Sequence, residues 1–196
     1  MRCLVLSAFV ALVLVTPSCG LFETRPAESP SQPSLDFRPA PDAQTVISNL
    51  QSAISQKSET NYIRCFADPA TTSKPFAFVA AADGVAQYGG LFSGWSRTEE
   101  LNYFQNLKAR GTTSGSSDLQ LTEKTPPAVS ADSVVYSFDY VFRFEHTDAA
   151  FPTSARGTLQ FTLGPDNNGQ WMIFRWIDFK STNDITWSVF KGKFSN

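Results

Sequence analysis

Residues 133–146 carry the feature that most restricts how this chain can fold. Most odd-numbered positions there are polar, whereas the even-numbered ones from 134 to 144 are apolar: Val134, Tyr136, Phe138, Tyr140, Phe142 and Phe144. Successive side chains of a β-strand point to opposite faces, so this alternation predicts a long strand. One face of that strand must be buried under a layer of aromatic side chains.

Three further segments have strand character, namely residues 119–123, 155–163 and 171–179. Residues 166–169 read Asp-Asn-Asn-Gly, and the Asn-Gly pair is typical of a tight turn between two antiparallel strands. The second half of the chain is therefore predicted to form an antiparallel sheet.

Before Thr112 the apolar spacing is helical. Asp42 is a predicted N-cap for a helix that continues through Ile54, and a second helix begins at residues 58–59 and ends before Pro69. The clearest helix follows Ser96, because Ser96 and Glu99 form a capping box and Gly111 is suited to the position after the helix.

The remaining segments are predicted as a short strand at residues 76–79, an ordered glycine-rich loop at 83–94, and a terminal helix or irregular segment docked by Trp187 and Phe190. Helices followed by strands indicate an α+β fold, in which N-terminal helices pack on one face of a curved antiparallel sheet.

The N-terminus has the pattern of a bacterial export signal. Arg2 precedes an apolar run of about 13 residues, which is too short to cross a bilayer core that needs about 20 helical residues. Ser18 then stands directly before Cys19, and the segment resembles the lipobox of lipoproteins, in which the cysteine is lipidated and becomes the first residue. Gly20 after it resembles lipoproteins sent to the outer membrane. The alternative is an ordinary secretory signal cleaved nearby.

These features divide the chain into a signal peptide at 1–18, a lipidated cysteine and tether at 19–41, and one domain at 42–196. The tether is rich in proline and lacks an apolar period, which predicts an extended, solvated segment. Cys65 would be the single free thiol after processing, and we expect it to be a small buried core residue. The formal charge of −2, with no basic patch, argues against a nucleic-acid partner.

Two segments resemble the nuclear transport factor 2-like superfamily, also called SnoaL-like. One is residues 53–66, where alanine, a short polar break and a tyrosine match the opening helices. The other is residues 171–178, Trp-Met-Ile-Phe-Arg-Trp-Ile-Asp, which resembles the closing strand. The resemblance implies a cone-like, cystatin-like roll. The pocket of this cone binds small molecules in some members, catalyses isomerisation or dehydration in others, and serves only for binding in many.

The enzymes of this family use acidic, histidine and tyrosine groups inside the cone. Asp178 shares a face with Phe174 and Trp176, which makes it the best candidate for a buried base. Asp139 should point away from the aromatic face, and His146, at a strand end, is expected to be a surface or turn residue. The full set of pocket candidates is Tyr62, Tyr88, Trp95, Trp176 and Asp178.

Other chemistries find little support in the sequence. The glycine-rich stretch 89–96 lacks the lysine of a phosphate-binding loop, since Trp95 stands there, and residues 188–191 match Ser-x-x-Lys without its companion motifs. One histidine and one free cysteine leave no expected metal site, and no cofactor is predicted.

The sequence thus favours a non-enzymatic lipoprotein of the cell envelope, anchored to the membrane through Cys19. Its domain would bind a small apolar ligand or a partner protein, with a homodimer through the sheet as a further expectation. The alternative is an isomerase or dehydratase with Asp178 as base and Tyr62 or Tyr88 as hydrogen-bond donor. A deep, open pocket would favour an enzyme or a carrier, and a filled cone would favour an interaction module.

Overall fold

The computed structural model describes residues 37–195. The predicted signal peptide, Cys19 and the tether as far as residue 36 lie outside the described residues. Within the described part of the chain, no helix is long and apolar enough to cross a membrane.

Three helices precede the main sheet in the places predicted. They are α1 (Ala43–Ser55), α2 (Glu59–Arg64) and α4 (Arg97–Ala109), and each has a side-chain N-cap. Asp42 caps α1 by accepting a hydrogen bond from the amide of Thr45 at 2.8 Å, and Ser96 and Glu99 form the predicted capping box of α4. Local sequence therefore determines where these helices begin.

Five strands form one curved, unclosed sheet. They are β1 (Ala77–Val79), β2 (Ser117–Val129), β3 (Val134–Phe144), β4 (Ser154–Pro165) and β5 (Trp171–Phe179). The spatial order is β1-β5-β4-β3-β2, with β1 parallel to β5 and every other neighbouring pair antiparallel. The predicted α+β class is confirmed, and strands β2–β5 form the predicted curved antiparallel sheet, to which β1 adds a short parallel strand.

The predicted alternation along β3 is confirmed by burial. Phe138, Tyr140, Phe142 and Phe144 are all buried, whereas Asp139 on the opposite face is exposed. The buried face is continuous with the inward side chains of α1, α2 and α4 in one hydrophobic core. This core holds the domain without a disulfide among the described residues, where Cys65 is free and buried.

The prediction of a loop at residues 83–94 is wrong. The segment forms helix α3 (Ala82–Tyr88) followed by a 3₁₀ turn (Gly89–Phe92). Glycine has a low helix propensity, but this cost can be offset where the missing side chain allows two elements to pack closely. A β-carbon at Gly84 would overlap the Cβ atom of Ser188, so this glycine allows α3 to approach the C-terminal segment closely.

The C-terminal segment is a helix, α5 (Trp187–Phe194), and it is buried along most of its length. It packs against α3 and α4 and against the inner face of the sheet, where the Trp187 ring stacks on Phe142 with centroids 4.1 Å apart. The interior of the cone is therefore occupied by a part of the chain that follows the sheet in sequence.

The end of the predicted tether also differs from expectation. Residues 37–40 lie on the domain, with Ala40 buried and its carbonyl accepting a hydrogen bond from the amide of Trp171 at 2.8 Å. A segment without apolar periodicity is expected to be solvated if it makes no hydrogen bonds to the rest of the domain. Here the start of β5 provides that surface.

Candidate functional site

The interior of the cone contains a fully buried ion pair between Glu100 of α4 and Lys191 of α5. The Oε1 atom of Glu100 accepts hydrogen bonds from Lys191 Nζ and from the Tyr62 hydroxyl, the latter at 2.5 Å. Its Oε2 atom accepts from Trp95 Nε1 at 2.7 Å. Three donors thus compensate the cost of burying this carboxylate.

Aromatic rings surround the ammonium group of Lys191. Its Nζ lies 4.0 Å from the ring centroid of Trp176, 4.5 Å from that of Phe78 and 4.9 Å from that of Tyr103. Ring faces attract a cation, and this attraction is strongest where water is excluded. Burial nevertheless lowers the pKa of Lys191 to about 8, against the opposing effect of the Glu100 and Asp178 charges.

Asp178 lies on β5 with 2% of its surface exposed. Its Oδ1 atom accepts a hydrogen bond from the Tyr140 hydroxyl at 2.9 Å, and Oδ2 accepts from the backbone amide and the hydroxyl of Ser188 at 2.7 and 2.6 Å. Burial raises the pKa of Asp178, and the hydrogen bonds from Ser188 and Tyr140 oppose that rise. We call Glu100, Lys191, Asp178, Tyr62, Tyr140 and Ser188 the interior network.

The hydroxyls of the interior are held as neutral donors. Burial raises the pKa values of Tyr62, Tyr103 and Tyr140 well above the ordinary tyrosine value. Tyr140 also accepts a hydrogen bond from the backbone amide of Trp187 at 2.7 Å, and Tyr103 accepts one from the Trp187 indole at 2.9 Å. These tyrosine hydroxyls are therefore engaged by neighbouring groups, whereas the buried Nε1 atom of Trp176 has no hydrogen-bond partner among residues 37–195.

Helix α5 takes the space that a substrate would need beside Asp178. Ser188 contacts the carboxylate directly, and Trp187 and Phe190 pack on the aromatic face of β3. Clefts of about 410, 570 and 350 Å³ on the described part of the chain are not lined by Glu100, Asp178 or Lys191, and of the groups around Asp178 only Tyr140 lines the last of these. In this structure the cone is filled.

The structure brings together four of the five residues proposed from the sequence as pocket candidates. Tyr62, Trp95, Trp176 and Asp178 are all buried in the interior. Tyr88 is half-buried at the end of α3, where its ring lies against Gly192 of α5, and it contributes no hydrogen bond to the interior network.

The expectation for His146 is wrong, whereas that for Asp139 is confirmed. His146 is 7% exposed and packs among the rings of Phe151, Phe190 and Phe194, with Nε2 at 3.2 Å from the Pro152 carbonyl oxygen. The loop after β3 and the end of α5 cover this strand end. Asp139 lies on the outer face, where its carboxylate pairs with Lys124 at 3.2 Å.

Sequence reasoning missed the ion pair, although helical spacing contains a signal for both partners. Glu100 is three and four residues before Tyr103 and Phe104, and Lys191 is four residues after Trp187 and three before Phe194. Residues at these intervals share a helix face. A charged residue on each of two apolar helix faces suggests a buried pair, but their meeting depends on how α4 and α5 pack.

Cys65 lies at the end of α2 with 1% of its surface exposed, as expected for a small core residue. Burial raises the pKa of its thiol, so the thiol is neutral at physiological pH. Among the residues that the structure describes, no group of three or more histidine, cysteine or acidic side chains is placed to hold a metal ion.

Solved structures share this fold. A candidate aromatic ring hydroxylase from Novosphingobium aromaticivorans superposes with a TM-score of 0.52 at 12% identity, over 71% of this chain and 86% of that one. A nuclear transport factor 2-like superfamily protein from Salmonella enterica serovar Typhimurium gives 0.50 at 16% identity, over 71% and 89%. A candidate dehydratase of the same family from Streptomyces avermitilis gives 0.50 at 10% identity, over 71% and 93%.

The chain has the nuclear transport factor 2-like fold, which confirms the fold that the sequence resemblance implied. No family model and no curated protein matches the sequence. Identities of this size define the fold alone, and one fold supports many functions.

Proposed function

We propose that this protein is a lipoprotein of the bacterial cell envelope whose domain is a non-enzymatic binding module. The observation that carries the binding role is the filled cone. Helix α5 contacts the one carboxylate that the sequence suggested as a base, and the hydroxyls of Tyr140 and Ser188 already donate to it. A small apolar ligand or a partner protein would then bind on the outside of the cone.

Catalysis inside the cone would require a base and hydrogen-bond donors that are accessible to a substrate, whereas binding on the outside does not. A general base must reach a substrate proton within hydrogen-bond distance, and an oxyanion needs donors that are free to receive it. In the interior network the donors Tyr140 and Ser188 are directed at Asp178, and Tyr62 is directed at Glu100. These contacts support a role in holding α5 in place.

We expect no turnover above background from a panel of ketosteroids and hydroxylated polyketides, because the filled interior leaves no space for substrate beside Asp178. The panel should be run with the wild-type protein, with Asp178→Asn and with Asp139→Asn as a matched exposed control. Activity that survives in Asp139→Asn and disappears in a folded Asp178→Asn variant would replace the binding role with an isomerase or dehydratase.

The envelope location rests on the N-terminal pattern, and its proposed anchor is the lipid on Cys19. We expect Cys19→Ser to move the protein from the membrane fraction to the soluble fraction when the full-length chain is expressed in a bacterium that processes lipoproteins. A lipid chain adds about 0.8 kcal/mol of membrane affinity for each buried methylene, which the serine variant would lose.

Cys65→Ser is the matched control for this experiment, because that thiol is buried in the domain and should not affect fractionation. A Cys19→Ser protein that still sediments with membranes in high salt would contradict lipid anchoring. Separation of inner and outer membranes would test the outer-membrane location suggested by Gly20.

A further inference from the structure

A cleft of about 410 Å³ lies outside the cone, where residues 37–40 run past the start of β5. Phe66, Trp171 and Met172 line its apolar part. Phe66 and Met172 are buried, so they support the floor of the cleft, and the half-buried Trp171 provides the accessible apolar surface. The volume is in the range of small-molecule sites.

Four hydrogen bonds fix the segment that forms one wall of the cleft. The side-chain amide of Asn49, which is 5% exposed, donates to the carbonyl of Arg38 at 2.7 Å and accepts from its backbone amide at 3.3 Å. The amide of Ala40 donates to Gln170 Oε1 at 2.9 Å, and its carbonyl accepts from Trp171 at 2.8 Å. The wall is therefore formed before any ligand arrives.

Arg64 stands at this cleft with its charge uncompensated. Its guanidinium stacks on the ring of Phe37 at 3.9 Å from the centroid, and it forms no ion pair within residues 37–195. The second arginine of the cleft, Arg97, is different, because its Nη2 atom pairs with Asp68 at 3.2 Å. The cleft thus combines an apolar surface with one available cation.

The cations of the other two clefts are already partnered. In the cleft of about 570 Å³ beside α2, Lys108 pairs with Glu59 and Lys57 donates to two backbone carbonyls. In the cleft of about 350 Å³ on the outer face of the sheet, the cations pair with carboxylates in Lys124–Asp139 and Arg156–Asp184. Of these four cations only Lys57 lacks a carboxylate partner, and the carbonyls of Thr112 and Gly115 accept hydrogen bonds from its ammonium group.

The last acidic group of the 410 Å³ cleft is also engaged. Asp166 Oδ1 accepts from the backbone amides of Asn168 and Gln170, both at 2.8 Å. Burial acts to raise the pKa of Asp166, but the hydrogen bonds from Gln170 and Asn168 outweigh it and lower that pKa. Asp166 keeps its negative charge at the cleft, and within residues 37–195 it forms no ion pair with Arg64.

We propose that this cleft binds an apolar carboxylate, with the apolar body against Trp171 and the carboxylate at the edge of Arg64. A guanidinium stacked on a ring keeps its N–H edge free, and that edge matches the two oxygens of a carboxylate. This proposal rests on the proposed binding role and gives it a site and a ligand class.

The test is calorimetric titration of the purified full-length protein with 2-naphthoate and with its neutral counterpart 2-naphthalenemethanol. We expect saturable binding of the carboxylate and a preference of about tenfold or more over the alcohol, the effect of one charged hydrogen bond. Higher salt should weaken that preference. A parallel titration with dodecanoate distinguishes an aromatic acid from a lipid-derived acyl chain as the source of the ligand.

Arg64→Gln is expected to abolish the preference for the carboxylate, and Trp171→Leu should weaken both probes. Arg175→Gln, which removes an exposed arginine from the outer face of β5, is the matched control and should change neither. Arg64 is exposed, so its replacement should leave the fold intact. Absence of saturable binding by any of the three probes would overturn the proposal.

Failure of the cleft and failure of the binding role are distinguishable. Carboxylate binding that is unchanged in Arg64→Gln would overturn this site but leave a binding module with its site elsewhere. Turnover in the panel described above would overturn the binding role whatever the titrations show.

Discussion

Replacing Lys191 with methionine is expected to destabilise the domain by about 3–5 kcal/mol, the usual cost of removing one partner from a buried ion pair. The apolar methionine side chain can still pack against the aromatic rings of Trp176, Phe78 and Tyr103. It leaves Glu100, however, as a buried carboxylate without its cation. The free energy of unfolding should be measured by urea titration followed by tryptophan fluorescence.

The Glu100→Gln, Lys191→Met double variant should recover part of that loss, because it removes both charges together. The recovery is expected to be incomplete, because Tyr62 and Trp95 donate to different oxygens of Glu100, and glutamine would place its NH2 group against one of these two donors. Lys108→Met, which breaks an exposed lysine–glutamate pair with Glu59, is the matched control and should cost less than about 1 kcal/mol. Equal losses in Lys191→Met and Lys108→Met would show that the buried pair does not hold α5.

Phe142→Ala and Trp176→Ala are each expected to cost about 3–5 kcal/mol, the usual range for truncating a large buried aromatic side chain. Phe142 stacks on Trp187, and Trp176 makes edge contacts with Trp187 and Phe161 at centroid distances of 4.6 and 5.2 Å. Both variants open a cavity between the sheet and α5. Urea titration again gives the free energy of unfolding.

Phe179→Ala is the matched control for these two variants, because Phe179 is on β5 but 43% exposed. Phe179→Ala should lower the free energy of unfolding clearly less than Phe142→Ala or Trp176→Ala. Losses below about 1 kcal/mol at both Phe142 and Trp176 would contradict the assignment of the inner face of the sheet.

The two pairs of variants address the same physical question. If the ion pair and the ring stacks both stabilise α5 inside the cone, the filled interior is a stable feature of the native state. That outcome would strengthen the case for binding on the outer surface. A domain that loses little stability in all of these variants would have an interior from which α5 is easily displaced, and the catalytic alternative would then need a new test.

Features that depend on neighbours in the sequence could be predicted. The inward face of β3 follows from its period of two, and the starts of α1 and α4 follow from caps that Asp42, Ser96 and Glu99 form within three residues. Burial of Asp178 also followed from its parity with Trp176 on β5. In each case the interaction that decides the structure lies within a few residues of the side chain concerned.

Features that depend on distant segments could not be predicted. Gly84 suggests a loop from the sequence alone, but it lies in a helix because α5 packs closely against it. His146 suggests a surface residue, but the rings of Phe190 and Phe194 cover it. Partnering of Glu100 with Lys191 joins positions 91 residues apart. No local period or spacing specifies such a contact.

The sequence by itself determined the helices α1, α2 and α4, the strands, the buried face of the sheet and the α+β class, because propensity, capping and periodicity are short-range properties. Only the tertiary structure decided that α5 fills the cone, that two buried carboxylates are compensated there, and that an unpaired arginine meets an apolar surface outside it. These outcomes depend on which side chains of separate elements come into contact, and that is determined by packing the whole chain.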